Sequence, residues 1–329
     1  MNTLQKTILV TGGAGYIGSV LVDQLLDRGY LVRVIDSLKF GDRGLRGYVG
    51  IPGFEFIKGD ITSSDSLAPA LNGVDSVVHL AAIVGDPACK KYPEAAVRTN
   101  KEGSELLYLM ALEQKVRRFI FASTCSNYGK MPDPDGYVDE TSPLAPVSLY
   151  AELKVDFEQH LLATRHDNMT SVCLRFATAH GMSPRPRFDL TVNEFTRDLV
   201  LGKRLEIYGE QFWRPYCHTQ DLSRAIIMAM EADNDIVAYQ AFNVGSTEEN
   251  YKKGTLVEII LGELPEMREK VHYVERTEDP RDYRVDFSKI KNNLGFDAKM
   301  KVIDGVREYI DAIRNGIIED PESNQYSNI

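Results

Sequence analysis

Three observations predict an α/β fold for this chain, a doubly wound parallel sheet followed by a smaller C-terminal lobe. Short apolar runs alternate with helical periods over the first half, the first run enters its helix through a glycine-rich turn, and the second run stops on an acid. Strands that alternate with helices pair in parallel, because each helix carries the chain back to the starting edge before the next strand begins. Thr7-Ile8-Leu9-Val10 reads as a buried strand, Tyr16 to Arg28 as a helix, and Leu31 to Ile35 as a second strand ending at Asp36. Further strands are expected at Glu55 to Lys58, Ser76 to Leu80, Phe119 to Ser123 and Ser171 to Phe176. Helices are expected between them at Ser64 to Leu71, Pro93 to Glu113 and Leu149 to Thr164. The alternation stops there, so residues 1–177 are assigned to the sheet domain, with later segments returning to it, and 178–329 mainly to a substrate-binding lobe. Gly181 to Arg187 reads as a loop, and the polar tail from Glu319 to Ile329 is expected to fray.

Charge narrows the partners. With 38 basic against 48 acidic side chains the net charge is −10, which argues against a general nucleic-acid binder. Any phosphate must therefore be held by a local arrangement. No run approaches the roughly 18 uncharged apolar residues of a membrane span, so no membrane partner is expected either. Cys89, Cys125, Cys173 and Cys217 form no C-x-x-C pair, and Met1 leads almost directly into a strand without a signal-peptide core. A reducing, cytoplasmic setting follows as the expectation. His79, His160, His166, His180, His218 and His272 show no paired ligand spacing with the cysteines, and no metal is expected.

The turn after the first strand is Thr11-Gly12-Gly13-Ala14-Gly15-Tyr16-Ile17-Gly18. Gly12 permits the tight turn, Gly15 lets a pyrophosphate approach the helix N-terminus, and Gly18 lets helix and strand pack closely. A glycine triplet alone can be structural. Here a strand precedes it, a helix follows, and Asp36 closes the next strand where an acid accepts the adenosine ribose hydroxyls, which points to a Rossmann-type dinucleotide site. A carboxylate there repels a 2′-phosphate and favours NAD over NADP.

Tyr150-Ala151-Glu152-Leu153-Lys154 places a phenol and an ammonium on one helical face. Upstream, Ser123-Thr124-Cys125-Ser126-Asn127-Tyr128-Gly129 ends a sheet strand and puts hydroxyls where a nicotinamide would lie. A tyrosine acting as base near neutral pH needs its pKa of about 10 lowered by roughly three units, about 4 kcal/mol. One positive charge at about 4 Å with an effective dielectric of about 20 contributes on that order, so Lys154 and an oxidised nicotinamide are expected to supply it.

With these motifs in place, the chain resembles the extended short-chain dehydrogenase/reductases, specifically the nucleotide-sugar epimerase/dehydratase family to which UDP-galactose 4-epimerase belongs. The similarity also takes in Gly59-Asp60-Ile61, His79-Leu80-Ala81-Ala82, Asn100, Arg214-Pro215-Tyr216-Cys217-His218 with Asp221, and Asp286-x-x-Lys289 before Leu294-Gly295. It implies that NAD is held by Gly12, Gly15, Tyr16, Ile17, Gly18, Asp36, Asp60, Ile61, Leu80, Ala81, Ala82, Asn100, Ser123, Tyr150 and Lys154. It implies further that Thr124 and Tyr150 bracket a sugar hydroxyl, that Tyr150 removes its proton, and that Lys154 binds the nicotinamide ribose and tunes Tyr150. Arg214 and Arg276 are expected to clamp the diphosphate of a nucleotide sugar with Asp279 near the nucleoside ribose, Arg185 and Arg187 being further candidates. Val84, Gly85 and Ser126 are expected to face the sugar. A homodimer is implied as well, through the helices carrying Leu106, Leu109, Met110 and Leu153, Phe157, Leu161.

Departures from the family pattern bear on the reaction. The Asp-Glu pair that follows the threonine in sugar 4,6-dehydratases is replaced by Cys125 and Ser126. GDP-mannose 3,5-epimerase has its cysteine two positions after the hydroxyl residue, where Ser126 stands here, so Cys125 reads as a packing residue. Thr178 replaces an asparagine common in 4-epimerases, and Pro215 after Arg214 is unusual. The expected activity is NAD-dependent epimerisation of a nucleotide sugar at C4, with a 4-oxidoreductase as the alternative and a non-catalytic NAD-binding scaffold as a remote one. Calorimetry should find tighter binding of NAD than of NADP by wild type and a reduced preference in Asp36→Ala. A wild-type preference for NADP would contradict the assignment of Asp36.

Overall fold

The computed structural model describes residues 6–131, 133, 135–275 and 281–328. The first six strands are β1 (Thr7–Thr11), β2 (Leu31–Asp36), β3 (Phe54–Lys58), β4 (Ser76–His79), β5 (Arg118–Thr124) and β6 (Thr170–Phe176). Then come β7 (Thr178–His180), β8 (Leu205–Tyr208) and β9 (Trp213–His218), and β10 (Gln240–Val244) returns to the first six. Together these form a seven-stranded parallel sheet in the order β3-β2-β1-β4-β5-β6-β10. The order reverses between β1 and β4, which opens a crevice at the carboxyl ends of those strands.

Helices cover both faces, which is why the central strands are continuous apolar runs: Ile8, Leu9 and Val10 are fully buried. Helices Tyr16–Asp27 and Thr219–Glu231 pack one face through Leu21, Leu25, Ala225 and Ile226. Helices Ser64–Leu71, Ser104–Glu113 and Leu149–Ala163 pack the other through Leu67, Leu107, Phe157 and Leu161. Edge strand β3 is more open, with Glu55, Phe56 and Lys58 exposed and no residue fully buried.

The lobe has its own core. Helices Thr191–Val200, Lys253–Glu263 and Val302–Arg314 enclose Leu199, Leu256, Ile260, Val306 and Ile310. Two small sheets complete it, β7 and β9 joined by β11 (Asn250–Lys252), and β8 paired with β12 (Val271–Val274).

Three expectations are corrected. The helix expected over Pro93 to Glu113 is broken by a wide-turned π segment at Arg98–Gly103. There Asn100 pairs its amide with the Ile83 backbone, two hydrogen bonds of 2.8 Å, while Gly103 lies so close to Ile61 and Thr62 that a Cβ would stand 3.0 Å from each. The apolar row Leu153, Phe157 and Leu161 faces the protein's own interior rather than a partner, whereas Leu109 on the other helix is 55% exposed. The described part of the tail, residues 319–328, does not hang free: Tyr326 is buried against Phe188 and Tyr309, and its carbonyl accepts from Phe188 N at 2.8 Å.

A buried ion pair ties the sheet to the helix Leu149–Ala163. Glu158 is fully buried and receives two hydrogen bonds from Arg175 of β6, at 2.9 and 2.6 Å, while Arg175 also donates to Tyr128 Oη and Tyr128 to Asn243 of β10. Removing one partner strands the other charge in the interior. Glu158→Ala should therefore lose about 3–5 kcal/mol of stability in urea unfolding, and a loss near zero would contradict this account of the pair.

Candidate active site

A cavity of about 750 Å³ lies at the carboxyl ends of the central strands, beneath the lobe. Its sheet side begins at the turn after β1. Gly12 has φ +75° and lies against β4's end, where a Cβ would stand 2.8 Å from Ala81 N. A Cβ on Gly18 would stand 2.3 Å from Gly12 O. Only glycine permits both approaches. Gly15 caps the helix without a side-chain hydrogen bond, and the first turn holds no acid, so its free N–H groups and dipole remain for an anion.

Asp36 lies beyond this helix end. Its Oδ2 accepts from Ala14 N at 3.1 Å and its Oδ1 from Leu38 N at 2.8 Å, which leaves each oxygen a further acceptor site for a ribose diol. Burial raises the carboxyl above its ordinary value, opposed by those two bonds and by Arg185. A glycine cradle, an uncapped helix start and a carboxylate along one wall fit a dinucleotide. Tyr16, Ile17, Asp60, Ile61, Leu80, Ala81, Ala82 and Ser123 line the same cavity. Asn100 does not; it stands behind the wall and shapes it by holding the Ile83 backbone.

The other end gathers Thr124, Tyr150 and Lys154. Thr124 closes β5, and its Oγ1 accepts from Ser126 N at 3.1 Å. Tyr150 and Lys154 sit in the first two turns of helix Leu149–Ala163, whose N-cap Ser148 accepts from Ala151 N at 3.3 Å. That hydroxyl also donates to Asp86 Oδ1 at 2.6 Å, and Asp86 pairs with Arg281 at 2.8 Å. The loop after β4 is thereby locked to the start of the helix carrying Tyr150.

Electrostatics differ from the expectation for Tyr150. Burial holds its phenol above the usual range, Cys89 adds to this, and Arg187 is the first charge to oppose it. Lys154 donates to Ala122 O at 2.6 Å and lies 4.5 Å over the Phe121 ring, and burial pulls its ammonium down to about 8. Among the protein's own groups, desolvation therefore outweighs the lowering expected from Lys154.

Val84, Gly85, Ser126, Arg187 and Arg214 also line the cavity, while Arg276 and Asp279 lie outside the described residues. Arg187 is held by Asp189 through bonds of 3.0 and 2.6 Å, and Arg214 lies 5.4 Å over the Tyr283 ring. Cys125 points away, its Sγ donating to Arg175 O. His180 and His218 are buried outside the cavity, His218 bonded to Glu308 at 2.9 Å. Sequence reasoning missed Arg281, Tyr283, Asp189 and Asn328, all lining residues. Only the pairing of Arg281 with Asp86, distant in the chain, would have marked that arginine. Among the described residues no helix is long and apolar enough to cross a membrane.

The sheet and this cavity define an NAD-dependent enzyme of the extended short-chain dehydrogenase/reductase type. Residues 8–245 match the model of the NAD dependent epimerase/dehydratase family, and the chain belongs to that family. A dTDP-glucose 4,6-dehydratase of Streptomyces niveus is 30% identical over 319 residues, covering 94% of this chain and 93% of its own. UDP-glucuronic acid decarboxylase 1 of Arabidopsis thaliana is 29% identical over 327 residues, 96% of this chain and 71% of its own. The crystal structure of DesIV, a dTDP-glucose 4,6-dehydratase of Streptomyces venezuelae with NAD bound, has a TM-score of 0.84 at 29% identity, covering 94% of this chain and 98% of that one. That of UDP-glucose 4-epimerase from Thermotoga maritima with UDP-glucose has 0.83 at 28% identity, covering 94% and 99%.

The position of Lys154 predicts a pH dependence. Between about 8 and the ordinary lysine value of about 10.4 the unfolded chain holds a proton that the folded chain has released, so this group makes stability rise with pH across that window. Below it both states are charged and the effect is constant. In urea unfolding, the advantage of Lys154→Met over wild type should shrink from about pH 8 to about pH 10; a gap independent of pH would contradict it.

Proposed function

We propose that this protein is a nucleotide-sugar epimerase acting at C4 through a transient 4-keto sugar. The observation that carries the reading is the placement of carboxylates. Among the described residues four acids line the cavity, and each is engaged: Asp36 by Ala14 N and Leu38 N, Asp60 by Thr62, Asp86 by Ser148 and Arg281, Asp189 by Arg187. Beside Thr124, where a dehydratase needs its acid and base, stand the inward-turned Cys125 and the hydroxyl of Ser126. Water elimination has no catalyst there, and the ring keeps its hydroxyls.

In this reading Thr124 Oγ1 and Tyr150 Oη bracket the C4 hydroxyl, and Tyr150 takes its proton and later returns it. NAD, bound along Gly12, Gly15, Gly18 and Asp36, supplies the reversible two-electron oxidant. Lys154 fixes the nicotinamide ribose and adds positive charge near Tyr150. Arg187 and Arg214 neutralise the sugar diphosphate from the lobe side, with Val84, Gly85 and Ser126 facing the sugar. The protein acts as a homodimer joined through Leu106, Leu109 and Met110. A 4-oxidoreductase uses the same residues and differs in releasing a keto sugar.

Proton NMR of UDP-, GDP-, CDP- and dTDP-sugars incubated with the enzyme tests the reading. The expected product is a C4 epimer formed without added cofactor. Accumulated 4-keto sugar, or dependence on stoichiometric NAD, would favour the oxidoreductase, and a 4-keto-6-deoxy product would overturn the argument from Cys125 and Ser126. Tyr150→Phe should keep nucleotide binding while turnover falls about 10²–10⁴-fold; near-normal turnover would exclude the mechanism.

A further inference from the structure

One arginine of the lobe reaches back across the cavity toward the sheet domain. Arg185 is 3% exposed and lines the cavity, yet among the described residues its Nε has no hydrogen-bond partner. Its Nη2 makes a long 3.4 Å bond to Ser327 O, and its guanidinium lies 4.9 Å over the ring of Phe40. A buried guanidinium with an unfilled donor is costly unless something on the cavity side accepts from it.

The position of that side chain is fixed from two directions. The backbone N of Arg185 donates to Ser183 Oγ at 3.2 Å. Ser183 Oγ in turn donates to Tyr16 O at 2.7 Å and meets Ser19 Oγ at 3.0 Å, which clips the loop to the first turn of helix Tyr16–Asp27. Phe40 comes from the loop that follows Asp36. Asp36 and Asp189 support the positive charge, whereas burial and Arg187 pull it down to about 10. The loop thus lies against the first turn of helix Tyr16–Asp27, and its guanidinium stands on Phe40 within electrostatic reach of the ribose-facing carboxylate. A dinucleotide's diphosphate spans that interval.

We infer that Arg185 is a cofactor-binding residue delivered by the lobe, and that its guanidinium pairs with the diphosphate of NAD rather than with that of the sugar nucleotide. The inference rests on the cofactor placement proposed above. The C-terminal tail serves as its brace: Tyr326 packs on Phe188 at 5.5 Å, Arg43 donates to Tyr326 Oη at 2.8 Å, and Ser327 O receives Arg185. A bound dinucleotide is then gripped by helix amides from the sheet domain and by an arginine from the lobe, so its departure requires both to let go.

Isothermal titration of NAD, ADP, adenosine and UDP into wild type, Arg185→Met and Arg185→Lys tests this. Arg185→Met should weaken NAD and ADP by roughly tenfold to hundredfold and leave adenosine and UDP unchanged, and Arg185→Lys should recover part of the loss. Unchanged NAD and ADP affinity would overturn the inference. So would an equal loss for adenosine, which marks a side chain that only shapes the pocket, or a loss for UDP in place of ADP, which returns Arg185 to the sugar nucleotide. Asp36→Ala separates the two levels. If it too leaves NAD binding untouched, the cofactor placement is wrong; if it weakens NAD while Arg185→Met does not, this inference alone falls.

Discussion

The closeness of helix Tyr16–Asp27 to the ends of β1 and β4 is the constraint on which the rest depends. A single Cβ at Gly12 would meet the Ala81 backbone, and one at Gly18 would meet the Gly12 carbonyl, so the contact exists only because neither residue has a side chain. Thr11 completes the junction, its Oγ1 accepting from Ala81 N at 3.2 Å and meeting His79 Nδ1 at 2.8 Å. The helix start is thereby aimed into the cavity, and β4's continuation, Leu80 to Ala82, becomes its wall. Moving the helix outward by the width of a methyl group would displace every N–H group of that first turn together.

The catalytic side depends on burial of charge. Glu158 and Arg175 hold helix Leu149–Ala163 to the sheet, one turn beyond Lys154. Ser123 Oγ donates to Glu158 and receives Asn127, so the strand end carrying Thr124 and the helix carrying Tyr150 share one network. The same dryness that positions these groups also disfavours ionising Tyr150 and charging Lys154. Positioning and proton affinity are set by one cause and pull in opposite directions.

What was legible in the sequence was local. The turn Thr11 to Gly18, the acid at the end of β2 and the spacing of Tyr150 and Lys154 each lie within one unit of secondary structure, where backbone geometry decides which side chains share a face. What was not legible depends on distant partners. Asn100 sits in a motif associated with the cofactor, yet its amide is spent on Ile83 because the helix widens there. The tail is polar in composition, but Tyr326 finds Phe188 and Tyr309 across the lobe. Asp86 is joined to Arg281 and Ser148, both remote from it in the chain.

The late return of β10 bears on how the molecule is made. It pairs with β6, and helix Thr219–Glu231 covers the face on which Val172 and Leu174 lie. Arg118 of β5 also bonds the carbonyls of Ala229 and Met230 at that helix's end. A nascent chain that has emerged only as far as β6 has all the strands carrying glycine turn, acid and threonine, and helix Tyr16–Asp27 on one face, but the part of that face over β5 and β6 is bare. That part stays open to water, and to other chains, until helix Thr219–Glu231 has left the ribosome, and the edge of β6 stays unpaired until β10 follows. Strands β7 to β9 and helix Thr191–Val200 are synthesised during that interval, so the first part of the lobe is made before the sheet that it covers is complete.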